Sequence, residues 1–450
     1  MGTFDVLVRG ARVVAPGSVT RADIGILDGL IAEVGAELAG DATTEIDATN
    51  LHVFPGVVDP HVHFNDPGRA EWEGFETGTA AFAAGGGTCF FDMPLNASPP
   101  TVDRASFDLK VAAASETALV DFGLWGGLVP GDVDRLDELA ERGVIGFKAF
   151  MCDTGIGDFE QADDETLFAG MERAARLGLP VAVHAENDTV TQELAAKARA
   201  AGSHAISDYL ASRPVAAELE AVGRAIAIAE QTGCSLHIVH ASTAAAVLLV
   251  DEARSRGADV TCETCPHYLL LTDEDAQRIG ALAKCSPPLR TRAEVDALWA
   301  ELLAGTVPFV TSDHSPSPAD MKTGDDAFAW WGGISGCQTL RSSLLAVSGS
   351  RGLTLEAVAS LTSAAAADRF GLAGKGRIEP GFDADLALVD LRDESTLAAE
   401  DLLYRHRHSA FVGAPLRGRV VQTLLRGQVV MRDGAVGPGP RRGRLVTVRT

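Results

Sequence analysis

The chain has 450 residues, of which 46% are hydrophobic and 22% charged, and a formal net charge of −24. Such acidity argues against a nucleic-acid partner or an anionic membrane surface, because both need clustered Lys and Arg. No run reaches the ~18 apolar residues of a membrane helix, Met1 to Val14 lacks the apolar core of a signal peptide, and seven irregularly spaced cysteines make no disulfide framework, so a reduced, cytoplasmic protein is expected.

The first 54 residues read as short strands, Phe4–Val8, Arg12–Val14 and Gly25–Leu27, broken by turns at Pro16-Gly17 and Asp28-Gly29. From residue 57 the pattern changes. Short apolar runs alternate with helical periodicity, and eight strand candidates follow: Val57–Asp59, Thr88–Asp92, Val120–Leu124, Val144–Phe150, Pro180–His184, Ser235–His240, Asp259–Cys262 and Val307–Ser312. A typical intervening segment has Val215, Leu219, Val222 and Ile226 at helical spacing, with Pro214 before it and Gly233 after it. Near-continuous apolar strands between helices imply a parallel sheet covered by helices. Eight such units fit an α/β protein of the (β/α)8 barrel type over residues 55–374, and no Gly-rich dinucleotide fingerprint supports the competing doubly wound sheet. Strand-like segments return at Asp385–Val389, Val420–Leu425 and Arg426–Val430. The two chain ends, 1–54 and 375–450, are therefore expected to build one small β-sandwich beside the barrel.

Catalytic groups of a barrel project from the C-terminal ends of its strands, and here those ends carry ligand-type residues. The first ends in His61 and His63, the fourth carries Lys148, the fifth ends in His184, the sixth in His240 and the eighth in Asp313. Histidines two residues apart on an extended segment face the same side, so both can reach one ion. Four neutral imidazoles and a carboxylate suit two divalent cations of the zinc type. Lys148 has two readings: a lysine snorkelling to the rim, or an amine that has taken up carbon dioxide to form an anionic carbamate able to bridge both metals. His237, three residues before His240, is read as a buried histidine facing the helices. Cys262 and Cys265 have redox or zinc-knuckle spacing but no second pair, which favours packing.

The motifs Asp59-Pro-His-Val-His-Phe-Asn-Asp-Pro-Gly-Arg69, Glu71–Gly78, Asp92-Met-Pro-Leu-Asn96, Gly146-Phe-Lys148, Val183–Asn187, Cys265-Pro-His-Tyr268, Lys284-Cys-Ser-Pro-Pro288 and Ser312-Asp-His-Ser-Pro316 together resemble those of the allantoinases, a family of cyclic amidohydrolases in the amidohydrolase superfamily. The resemblance spans nearly the whole chain. It implies His61 and His63 on one metal, His184 and His240 on the other, carboxylated Lys148 between them and Asp313 on the first. It also implies that a bridging hydroxide attacks a ring amide while Asp313 carries the proton to the departing nitrogen. Allantoin would become allantoate. Zinc is the default metal, with cobalt, nickel or manganese as alternatives, and relatives of this kind are homotetramers acting on small cyclic ureides.

By the same resemblance Ser286 and the backbone at Gly332 occupy positions that bind the substrate's imide, although Ser286 also reads as a turn residue before Pro287-Pro288. Asn65 stands where dihydroorotases carry an Arg for the substrate carboxylate, which disfavours that substrate. Hydantoinases and dihydropyrimidinases are the next competitors. Asn65 and Asn96 suit a ureido substituent, and His267 and His314, beside rim motifs, suit support of the ligands. Ser317 and the loop Met151–Asp163 depart from the family pattern. A non-enzymatic dihydropyrimidinase-related scaffold would have lost metal ligands, whereas this chain has them all.

Overall fold

A computed structural model describes residues 4–437 and 442–448. Residues 1–3, 438–441 and 449–450, assigned above to the small domain, lie outside the described residues. In chain order the strands are β1 Phe4–Ala15, β2 Ser18–Leu27, β3 Leu30–Gly35, β4 Ala42–Asp47, β5 His52–Pro55, β6 Val57–Val62, β7 Gly87–Asp92, β8 Asp121–Leu124, β9 Gly126–Gly127, β10 Phe147–Phe150, β11 Val181–His184, β12 Leu236–Ile238, β13 Val260–Thr264, β14 Phe309–Val310, β15 Leu386–Thr396, β16 Pro415–Leu425, β17 Gln428–Arg432 and β18 Ala435–Val436.

All eight expected barrel strands are present. β8 and β9 are one strand interrupted at Trp125, and from β6 to β14 every neighbouring pair is parallel. The gap between the two sheet segments is spanned by the Ile145 N–H donating to the Leu124 carbonyl at 2.9 Å. The last strand returns to the first through a parallel bridge between Val62 and His314. There Asp59 also accepts from the Ser312 N–H at 3.2 Å, which fixes the two strand ends that carry the first and last candidate ligands. Outward residues such as Phe90, Phe122, Phe147, Val181, Leu236 and Val260 join the helices in the main core. Inward residues such as Val58, Phe91, Ile145, Ala182 and Phe309 fill the barrel. Strands buried on both faces carry apolar residues at consecutive positions, as in Phe90-Phe91.

The helices start and stop where local chemistry dictates. The Asp103, Asp163 and Asn187 side chains accept from backbone N–H groups of the first turns that follow them. The helix Val215–Thr232 turns Ala217, Ala221, Val222, Ala225, Ile226 and Ala229 inward and ends at Gly233, φ 70°. No helix among the described residues is long and apolar enough to cross a membrane.

The strands of the two chain ends join in one hydrogen-bonded sheet. β5 bonds to β1 on one side and to β15 on the other, so strands from both chain ends form one continuous nine-stranded sheet, with β4 as an extra partner of β1. Its two halves share one apolar cluster that includes Val8, Ile24, Val53, Leu386, Leu388 and Leu424. The polar strand β4, mostly exposed, carried too weak an alternation to be read from sequence. Residues 443–448 do not stay with this sheet. Arg444 and Val446 exchange backbone hydrogen bonds with Phe122, laying the tail along β8.

A buried ion cluster joins the parts. Lys375 Nζ lies 2.6 Å from Asp121 at the start of β8, 2.8 Å from Asp383 and 2.7 Å from Asp385 just before β15. These carboxylates converge closely enough to suggest a cation site, and the lysine ammonium is the cation that fills it. Removing one partner from such a network strands buried charge. Lys375→Met is therefore expected to lower unfolding stability by about 3–5 kcal/mol in urea titration, and a loss under about 1 kcal/mol, the range of exposed pairs, would contradict this reading.

Candidate metal centre and active site

His61 ends β6 and His63 follows it, and both face the C-terminal mouth of the barrel with Asp313. The carboxylate oxygen Oδ1 of Asp313 lies 3.1 Å from His61 Nε2 and 3.5 Å from His63 Nε2. On the other side of the mouth His184 Nδ1 and His240 Nε2 face each other at 3.0 Å. The His61 and His240 rings are 5.4 Å apart, so the two groups form one cluster. Lys148 projects from β10 into the same space, fully buried, with its ammonium nitrogen 4.7 Å from the Phe150 ring and no hydrogen-bond partner.

Burial sets the protonation of this cluster. It pulls the pKa of His63, His184 and His240 below the usual imidazole value, furthest for His240, where the neighbouring His184 and Lys148 add to the effect. Burial also brings Lys148 down to about 7 against the opposing pull of Glu263 and Asp313. For Asp313 burial acts upward, but His61 and His63 outweigh it and hold the carboxyl at about 2. The result is a set of lone pairs, one carboxylate and an amine, converging without a counter-charge. His63 Nδ1, His240 Nδ1 and Lys148 Nζ are buried without partners. Such a donor set fits two divalent cations, and a desolvated amine at Lys148 fits addition of carbon dioxide, which requires the neutral form.

The supporting carboxylates were missed in the sequence. Glu263, at the end of β13, takes a hydrogen bond from His61 Nδ1 through one oxygen and from His237 Nε2, at 3.0 Å, through the other. This leaves His61 Nε2 to face the cluster. Burial would raise the Glu263 pKa, yet His61 and His237 outweigh it and drive it far below the ordinary range. Glu186 does the same for His184: it accepts from Nε2 at 2.8 Å and is held by Arg213 at 2.5 Å. The signal for Glu263 was its place at the seventh strand end, inside the Cys262–Cys265 segment whose cysteines, like all seven, are free and buried.

The direction assigned to His237 is corrected. It pairs with Ala182 across the sheet, reaches Glu263 and stacks on Phe309 inside the barrel rather than facing the helices. β12 stops at Ile238, and His240 has φ 39°. The positive φ breaks the strand alternation, so residues three apart both face inward. His267 stands beside Asp313 and Cys265 with both ring nitrogens unpartnered. His314 accepts from the Gly336 N–H at 3.2 Å, away from the cluster.

Above the ligands opens a cavity of ≈ 370 Å³, the size of a small-molecule site. Asn96, Ser286 and Gly332 line it, as do Asp153 and Thr154 from the loop that departs from the family pattern. Asn65 does not. It is buried behind the wall, where its Nδ2 donates to the Pro316 carbonyl at 3.4 Å. Its φ of 63° turns the side chain toward the strand-eight loop, a direction that spacing from His63 did not reveal. Because Glu263 fixes the tautomer and orientation of His61, Glu263→Gln is expected to weaken metal binding about 10- to 100-fold in chelator competition, and unchanged affinity would contradict that role.

The Amidohydrolase family model matches residues 52–430. The chain is 61% identical over 447 residues to an allantoinase of Rubrobacter xylanophilus, covering 99% of this chain and 98% of the relative. It is 53% identical over 450 residues to one of Deinococcus radiodurans, covering 100% of each. Among solved structures, L-hydantoinase (dihydropyrimidinase) from Arthrobacter aurescens superposes with a TM-score of 0.96 at 35% identity, covering 99% of this chain and 100% of that one. Dihydropyrimidinase from Brevibacillus agri gives 0.92 at 32%, covering 100% of each. With a family model matching most of its length and full-length allantoinases sharing more than half of its residues, the chain belongs to the amidohydrolase family and, within it, to the allantoinases.

Proposed function

We propose that the protein hydrolyses allantoin to allantoate, opening the hydantoin ring at an amide bond. The observation that carries this is the convergence of His61, His63, His184, His240, Lys148 and Asp313 beneath one polar cavity. Two divalent metals, zinc by default, would be held by His61, His63 and Asp313 on one side and His184 and His240 on the other, with carboxylated Lys148 reaching both; when bound they polarise the carbonyl and acidify a water.

The chain's own groups do the rest. Asp313, ionised, accepts the proton of the attacking water and returns it to the ring nitrogen as the carbon–nitrogen bond breaks. The carbonyl carbon ends as the new carboxylate, and the nitrogen ends as the terminal amide of a ureido group. Ser286 and the Gly332 peptide bind the imide portion of the ring. Asn96, with Asp153, Thr154, Gln192 and Arg199 also lining the cavity, offers donors and acceptors suited to a ureido substituent and poorly matched to the alkyl or aryl groups of other hydantoins. This is what supports allantoin over the hydantoinase alternative, which shares the ring. The two-domain division at residues 54 and 375, the homotetramer and the cytoplasmic location expected from the sequence belong to the same proposal.

Metal-loaded protein assayed on allantoin, hydantoin, dihydrouracil and dihydroorotate should turn over allantoin best, and a preference of orders of magnitude for hydantoin or dihydroorotate would sink the reading. Asp313→Asn should lower kcat at least about 100-fold with the circular dichroism spectrum intact. Near-normal activity would remove Asp313 from the proton path. Dialysis against chelator should abolish turnover and added zinc should restore it.

A further inference from the structure

Two buried lysines outside the ligand set grip the loop that carries Gly332. Lys284 and Lys322 are 5% and 9% exposed, and their ammonium groups are directed at main-chain carbonyls. Lys284 Nζ donates to the carbonyls of Phe328, at 3.1 Å, and Trp330. Lys322 Nζ donates to those of Trp331 and Gly333, at 2.9 Å each. The backbone completes the grip: the Gly333 N–H donates to the Lys284 carbonyl at 2.8 Å, the Trp331 N–H to Met321 at 2.8 Å, and the Ser315 N–H to the Ile334 carbonyl at 3.0 Å. Of the carbonyls from Trp330 to Ile334, Gly332 alone is left without a partner among the described residues. Gly332 lines the cavity together with Trp330, Trp331, Gly333 and Ser286. Next to it, a Cβ at Gly333, φ 132°, would lie 2.3 Å from the Ser315 carbonyl oxygen, so the chain cannot easily take another path there.

Lys284 reaches the second imide-binding position as well. Its ammonium lies 4.6 Å from the centre of the Tyr209 ring. The Tyr209 hydroxyl donates to the Cys285 carbonyl at 3.1 Å and shares a 2.6 Å hydrogen bond with the Ser286 hydroxyl. Ser286 and Gly332 lie on separate loops, and Lys284 binds both loops.

We propose that Lys284 and Lys322 are positioning residues for substrate recognition: by engaging the carbonyls around Gly332 they leave its peptide group free to pair with the ring imide, and through Tyr209 Lys284 sets Ser286 opposite it. Neither lysine exchanges a proton with the substrate. The proposal rests on the cyclic-imide reading above, and its effect falls on binding rather than on the bond-breaking step. An ammonium holding two buried carbonyls is hard to replace, because the alternative leaves those carbonyls unsatisfied. Methionine at either position keeps the aliphatic length and removes the donors.

The test compares wild type, Lys322→Met and Lys284→Met. With allantoin, KM should rise about ten-fold or more, with kcat within about three-fold and metal content unchanged. Competitive inhibition by hydantoin and by its imide N-methyl derivative adds a readout that a general loss of packing would not move. Wild type should prefer the ring with a free imide N–H, and Lys322→Met should lose most of that preference. Acrylamide quenching of the tryptophans, which needs no turnover, should increase as Trp330 and Trp331 loosen. Unchanged KM and inhibitor preference, a fall in kcat at constant KM, or unchanged quenching in a folded Lys322→Met would overturn the proposal. If Lys284→Met does not fold, Lys322→Met alone decides. A wild type inactive on allantoin would sink the functional reading instead, leaving the quenching and inhibitor comparison to judge the clamp.

Discussion

The rim of this barrel depends on desolvation. Imidazoles, an amine and carboxylates are packed where water is excluded, and exclusion favours the neutral forms of His63, His184, His240 and Lys148. Neutral nitrogens can bind a divalent metal, whereas charged ones would repel it and one another. Besides Asp313 in the cluster itself, negative charge lies one layer back, on Glu263 and Glu186. Each of these holds a histidine by the nitrogen turned away from the site and is itself held, by His237 and Arg213 respectively. A ligand shell without that backing would be free to rotate, and a two-metal site tolerates little rotation.

Strand order and the residues gathered at the strand ends were legible because both are local. A run such as Gly87–Asp92 shows its burial in its own composition, and His61 and His63 show their common direction in their spacing. Glu263 was silent because its partner is distant in sequence, His61 lying 202 residues away, and Glu186, although only two residues from His184, shows its role only once Arg213 is folded against it. Asn65 and His237 misled for a backbone reason. The His237 reading assumed regular strand alternation and the Asn65 reading took a motif position to face the substrate, and at a barrel rim both fail where φ turns positive. The continuous sheet was hidden because β5 has only four residues, too few to announce that it bonds on both edges.

Positive φ outside glycine is uncommon, and of the eight instances among the described residues four, at Asn65, Asn96, His240 and Asp313, lie at or just behind the site. Two of these residues, His240 and Asp313, are candidate ligands, and they and Asn96 line the cavity. A left-handed residue just past a strand end turns the next side chain off the regular path, which lets a closely packed barrel aim several groups at one point. The strain is held by the surrounding bonds, such as the Asp59 carboxylate accepting from the Ser312 N–H beside Asp313.

The pairing of β5 with β15 also orders events in time. Residues 52–55 leave the ribosome more than 300 residues before their partners at 386–389, so a growing chain carries the N-terminal strands with one edge open while the whole barrel is synthesised. That edge is closed only when the last strands arrive, and the tail then runs back along β8 to lock the first half of the barrel to the end of the chain. Such long-range closure makes folding slow and late. Once made, it leaves neither β5 nor β15 free to peel away alone, so truncation at either end removes support from the barrel and not merely from the small sheet.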